Sequence, residues 1–172
     1  MRPLAAALLS VSILLLLGCD LFGASGGAGA ETPIYSTSFE SAADTSGWTG
    51  NGTLALRSSA PGGGGTQSAL VSGGCIWPHS AYEFPAPAGG TFVLQAWAKD
   101  LGIGGGITLE NVATDKRVSV RVQEDTWKQL RSETLSVETG DSLRLTMGAG
   151  GFVASAMLVT RIEILPARRA EE

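Results

Sequence analysis

The chain is 172 residues long and carries 12 Lys+Arg against 16 Asp+Glu, a formal net charge of −4. That mild acidity argues against a nucleic-acid partner, because phosphate binding needs a basic surface. One histidine excludes a two-histidine metal triad, and the length fits one domain with an ordinary core.

In chain order, Met1-Arg2 supplies a positive start, Leu4 to Leu17 an apolar run broken only by Ser10 and Ser12, and Gly18 a small residue before Cys19. This is the layout of a secretory signal peptide, and the run is shorter than the ~20 apolar residues a membrane span needs. The segment Leu14-Leu15-Leu16-Leu17-Gly18-Cys19 resembles a bacterial lipobox. The resemblance implies removal of residues 1–18, a diacylglyceryl group on the Cys19 thiol and acylation of the new amino terminus, palmitate being one such chain. An ordinary cleaved signal is the alternative. Removing 18 of the 172 residues leaves 154, and the loss of Arg2 takes the charge from −4 to −5. The partner implied is a lipid bilayer held through acylated Cys19, since one acyl chain alone anchors only marginally. Asp20 directly after the cysteine resembles the inner-membrane retention signal of Gram-negative lipoproteins. The expected location is therefore the cell envelope: the periplasmic leaflet of the inner membrane if that signal operates, otherwise the outer membrane or cell surface. Cys75 is then left without a partner in the chain and is expected as a small buried apolar side chain.

Residues 19–32 comprise the lipidated cysteine and a tether, Asp20 to Thr32, rich in Gly, Ala and Ser. Such a segment reaches roughly 20 Å. Residues 33–166 read as strand after strand, with candidates at Ile34–Phe39, Thr53–Arg57, Gln67–Ser72, His79–Phe84, Thr91–Lys99, Gly106–Asn111, Lys116–Val122, Trp127–Val137, Ser142–Met147 and Ala154–Leu165. Val118, Val120 and Val122 alternate with Ser119 and Arg121, and Leu143, Leu145 and Met147 with Ser142, Arg144 and Thr146. Alternation of this kind buries one face, and many short strands between turns predict an all-β sandwich or barrel of about eight to ten antiparallel strands. Gly62–Gly65 and Gly104–Gly106 read as loops. Neither opens a helix or carries the Lys-Ser/Thr of a phosphate loop. Residues 167–172 are charged and expected to fray.

With the strands placed, Phe39-Glu40, Gly47-Trp48, Gly52-Thr53, Ser68-Ala69-Leu70-Val71, Thr91 to Lys99 and Trp127-Lys128-Gln129-Leu130 together resemble the jelly-roll carbohydrate-binding modules of the galactose-binding-domain-like fold. The resemblance spans roughly Ile34 to Leu165 and rests on the order and spacing of short motifs. It implies a two-sheet sandwich that holds sugar on a concave face or at a loop end. It also implies a structural Ca²⁺ site, with Glu40 as its one matching ligand. Where the last strand would add an acidic pair, this chain has Thr160-Arg161. Ca²⁺ takes several oxygen ligands, carboxylates among them, so the expectation is no cofactor and an Arg161 that repels the ion or replaces it by pairing with Glu40.

Sugar binding in water needs a flat aromatic plus convergent polar groups. Trp48 and Trp127 are expected as core plugs. On Thr91–Lys99, Phe92, Leu94, Ala96 and Ala98 form an apolar face, which points Trp97 outward beside Gln95 and Lys99. Trp77-Pro78-His79 lies in a Gly-rich connection, with Tyr82 nearby. The candidate ligand-binding residues are thus Trp77, His79, Tyr82, Gln95 and Trp97. No HExxH, GxSxG or row of carboxylates two apart on one strand occurs, and Cys75 near His79 has no third group to orient it. The expectation is a non-catalytic glycan-binding lipoprotein. The alternatives are a structural or assembly lipoprotein that binds protein or peptidoglycan, and a cryptic glycan hydrolase or lyase.

Overall fold

Short runs of alternating apolar and polar residues become strands here because each can bury its apolar side against a second sheet. The computed structural model describes residues 32–62, 65–73, 77–151 and 155–167. Cys19, the tether up to residue 31, Cys75 and the tail after residue 167 lie outside the described residues. The elements are β1 (Tyr35–Thr37), a 3-10 turn (Ala42–Thr45), β2 (Thr49–Gly50), β3 (Thr53–Arg57), β4 (Ser68–Gly73), β5 (His79–Pro85), β6 (Gly90–Asp100), β7 (Gly105–Asn111), β8 (Lys116–Val122), β9 (Lys128–Val137), β10 (Ser142–Ala149) and β11 (Ser155–Pro166).

They form two sheets. One runs β3-β4-β11-β6-β9, with β1 added along the second half of β11, and the other runs β2-β5-β10-β7-β8. Every pairing is antiparallel. This is the expected all-β jelly-roll sandwich. β3 and β8 keep their expected bounds, and most of the others shift by a residue or two. The first strand stops at Thr37, short of the expected Phe39, because Phe39 takes a left-handed φ of 57°, which no strand accommodates. β2 is two residues long, too short for alternation to announce it.

A single core lies between the sheets. Leu94, Ala96, Met157, Val159, Ile162 and Ile164 come from one sheet; Ile107, Leu109, Leu143, Leu145 and Met147 come from the other. Register slips between Val93 and Gln95 on the β9 side of β6, and between Thr160 and Glu163 on β11. At the first slip the Leu94 N–H bonds to the Ser132 hydroxyl at 2.9 Å, so the ladder loses a backbone partner without leaving a buried donor unpaired. Val93, expected to point outward with Gln95 and Trp97, is nonetheless buried.

The strands give the sandwich two distinct ends. At the entry end β1 begins and β11 finishes, with the Ile34 N–H donating to the Ile164 carbonyl at 2.9 Å and the Ala167 N–H to the Thr91 carbonyl at 2.8 Å. At the far end β4 and β10 finish and β5 and β7 begin, as the pairs Gly148–His79 and Ala149–Gly105 show.

Candidate ligand-binding groove

A groove of about 520 Å³ opens at the far end, on the outer face of the β2-β5-β10-β7-β8 sheet. Its floor follows a cross-strand row: His79 of β5 lies opposite Gly148 of β10, which lies opposite Gly106 of β7. Met147 and Ala149 point into the core, so alternation turns Gly148 to the outside. Trp77 and His79 stand on one side, Ile103 and Gln123 on the other. Trp77 is 60% exposed and Ile103 66%, unusual accessibility for large apolar side chains in close company.

Each wall is fastened by its own hydrogen bonds. The Pro78 carbonyl accepts from the Ala149 N–H at 3.0 Å, the His79 N–H donates to Asn51 Oδ1 at 3.0 Å, and the His79 carbonyl accepts from the Gly52 N–H at 3.0 Å. His79 Nδ1 lies 3.3 Å from the Trp77 carbonyl. In the neutral tautomer that donates this bond, Nε2 is left as an acceptor. On the other wall Asp100, buried at the end of β6, accepts from the Gly102 N–H at 3.0 Å and the Gly104 N–H at 2.9 Å. Two amides held by one buried carboxylate fix the 101–104 loop. Ile103 rests on Gly151, where a Cβ would lie only 1.9 Å from Ile103 Cδ1. Among the described residues no Asp, Glu, Lys or Arg lines the groove. Its polar groups are His79, Gln123, the Trp77 indole N–H and the backbone.

Of the candidate residues, Trp77 and His79 come together here. Tyr82 does not. It pairs with Leu145 in register and so shares the inner face of β5 with Phe84, where its ring packs 5.7 Å from Tyr35, 5.7 Å from Trp48 and 5.9 Å from Phe84. The placement of Tyr82 beside Trp77 is thereby corrected: strand parity aims it at the core margin. Burial, with the neighbouring Tyr82 and Asp44, pushes the Tyr35 hydroxyl up from its ordinary pKa. Trp48 plugs this margin as expected, against Phe39 at 5.8 Å, with its indole N–H donating to the Asp44 carbonyl at 3.1 Å.

Trp97 and Gln95 lie on the outer face of the other sheet, so they share no site with Trp77. Gln95 donates to Glu163 at 3.2 Å and accepts from Arg131 at 3.3 Å, and Trp97 pairs with Thr160 and Gln129. Trp127, expected in the core, is half-buried with Lys99 Nζ 5.7 Å over its ring. It covers the sheet exterior instead, because it directly precedes β9 and has the parity of Gln129, which pairs with outward-facing Trp97.

Glu40 does not present a metal ligand. Its carboxylate accepts from the Thr66 N–H at 2.9 Å, the Thr66 hydroxyl at 2.7 Å and the Gln67 N–H at 3.2 Å. The Thr66 hydroxyl bond, followed by the Gln67 and Thr66 amides, holds its pKa below the usual carboxylate range. Donors surround these oxygens where a cation would need further acceptors. Among the described residues no group of three or more His, Cys, Asp or Glu could hold a metal ion. The residues present do not fit Ca²⁺. Thr160 is buried with its hydroxyl donating to the Ser38 carbonyl at 2.9 Å, and Arg161 is exposed at φ 45°.

Ile103, Gln123, Asp100, Gly106 and Gly148 were absent from the candidates. Only Ile103 carries a signal in sequence, a bulky apolar residue isolated among glycines in Leu101-Gly102-Ile103-Gly104-Gly105-Gly106.

No protein-family profile matches the chain, and no curated protein matches it. Solved structures do. The CBM22-1 xylan-binding domain of Paenibacillus barcinonensis Xyn10C is 20% identical with a TM-score of 0.59, covering 84% of this chain and 100% of that one. At this identity the likeness shows the fold, an antiparallel two-sheet jelly roll. The CBM6cm-2 module of Cellvibrio mixtus lichenase 5A, in complex with cellotriose, shares the jelly roll at 14% identity and TM-score 0.51, covering 80% of this chain and 100% of that one. TmCBM61, in complex with β-1,4-galactotriose, shares it at 15% identity and TM-score 0.50, covering 71% and 90%.

Proposed function

We propose that this chain is a lipid-anchored, non-catalytic binding protein for a neutral glycan, held to an envelope membrane through acylated Cys19 and taking sugar in the groove beside Trp77. The observation that carries the reading is an exposed indole beside an imidazole, over a backbone floor with no charged side chain. An aromatic plane covers the apolar face of a pyranose, and a few placed acceptors and donors fix its hydroxyls. The floor from His79 across Gly148 and Gly106 to the Gln123 wall crosses three inter-strand gaps, roughly 14 Å, the length of a trisaccharide. The jelly-roll neighbours, described as binding xylan, cellotriose and galactotriose, support the ligand class. A site that binds without reacting also agrees with the absence of paired carboxylates from the described lining.

Titration of the protein with linear β-1,4-linked hexaoses of xylose, glucose and galactose tests this. At least one is expected to shift the tryptophan fluorescence without being shortened, and Trp77→Ala is expected to remove the shift and weaken binding by tenfold or more. Binding unaffected by Trp77→Ala sinks the groove as the site. Release of shorter sugars sinks the non-catalytic reading.

A further inference from the structure

Gly148 is the seventh residue of eight-residue β10, paired to His79 on one side and Gly106 on the other, between two fully buried neighbours. Glycine weakens such a position, since it gives up the most backbone freedom and packs no side chain. Two structural needs normally account for it, and neither applies. Its φ lies outside the left-handed region, and a Cβ built there would meet only the Pro78 carbonyl oxygen at 3.7 Å and His79 Cβ at 3.8 Å, ordinary contacts. Gly105, a few ångströms away, differs. A Cβ there would sit 2.7 Å from the Gly148 carbonyl oxygen and 2.8 Å from Met157 Sδ, so packing forbids one. The fold thus requires Gly105 and leaves room at Gly148. What a side chain at Gly148 would take is space in the groove, between the walls that carry exposed Trp77 and Ile103.

We propose that the bare backbone at Gly148 sets the selectivity of the groove: it admits a neutral, unbranched sugar chain in van der Waals contact with the floor and rejects a chain carrying a branch on the ring that lies there. This rests on the glycan reading above. A single methyl would raise the floor by about 1.5 Å, enough to lift a stacked ring from contact with Trp77. A branch pointing at the floor meets the same obstruction from the ligand's side. Gly106, where a Cβ would stand 3.2 Å from the Val120 carbonyl oxygen, continues the floor but is partly constrained by packing, so Gly148 is the position that isolates the effect.

The test uses full-length wild type, Gly148→Ala, Gly148→Val and Gly105→Ala, each titrated with the three linear hexaoses and with matching chains bearing single-sugar branches. The linear chain that binds wild type is expected to bind at least tenfold tighter than its branched counterpart. Gly148→Val is expected to lose at least tenfold for the linear chain, with Gly148→Ala in between. Both should keep or raise the Tm, whereas Gly105→Ala lowers it. Equal binding of linear and branched chains, or full binding by Gly148→Val, overturns the selectivity role while leaving the Trp77 site standing. A fall in Tm for Gly148→Ala overturns it as well, since the fold would then need the glycine. If wild type binds none of the chains, the glycan reading fails, and this inference with it.

Discussion

The Glu40 carboxylate is held by hydrogen bonds from its own chain. Three donors from Thr66 and Gln67 fill its carboxylate, tying the segment after β1 to the loop before β4. Its folded pKa is lowered from an ordinary 4.5, so the charged form is favoured by folding. The stabilisation is fully present above that ordinary value and is lost as pH falls through the lower folded value. Glu40→Gln is expected to lower the Tm at neutral pH, and the gap from wild type should close as pH drops below the carboxylate range. A pH-independent gap would assign the loss to packing. Chelator is expected to leave the wild-type Tm unchanged, while a chelator-induced drop would show a bound ion.

At the scale of elements, stability concentrates in β11. Among the described residues it is the only strand paired to three others (β1, β4 and β6), and Ile162 and Ile164 are fully buried. Ile162→Ala is expected to cost about 2–5 kcal/mol. Leu56, half-buried on edge strand β3, should lose less than half as much when truncated to Ala. Thermal unfolding of the two variants decides, and equal losses would contradict a core centred on β11. Elements were also what the sequence disclosed best. Alternation in Val118-Ser119-Val120-Arg121-Val122 and in Leu143 to Met147 reports a face against water, so strands and their inner sides were legible. The site was legible only in part. Trp77 and His79 stood out as an aromatic and the sole histidine in a glycine-rich connection. Gly148 was silent because nothing local distinguishes a glycine kept for space from one kept for a turn. Asp100 was silent because its role depends on a loop that folds back onto it. Tyr82 misled because proximity along the chain outweighed parity within β5, where it faces inward with Phe84.

For the whole molecule, the question is where the chain is held. If Cys19 is acylated, Cys19→Ser is expected to move the protein from the membrane pellet to the soluble fraction, with the sandwich's Tm unchanged. Continued sedimentation with membranes would remove the anchor from the proposal. The entry end also has a mechanical meaning. Ile34 begins the sandwich beside the last strand, whereas the groove lies at the opposite end. A ligand tugged while the protein is held from its N-terminal side therefore loads the sandwich lengthwise. Antiparallel hydrogen bonds lie across the strands, so such a pull shears the pairs joining β1 to β11, Tyr35–Ile164, Ser36–Glu163 and Thr37–Ile162, together. Under such a load this three-residue pairing is expected to part ahead of the seven-residue pairings that frame the groove, and force spectroscopy in which the groove strands separate first would contradict it.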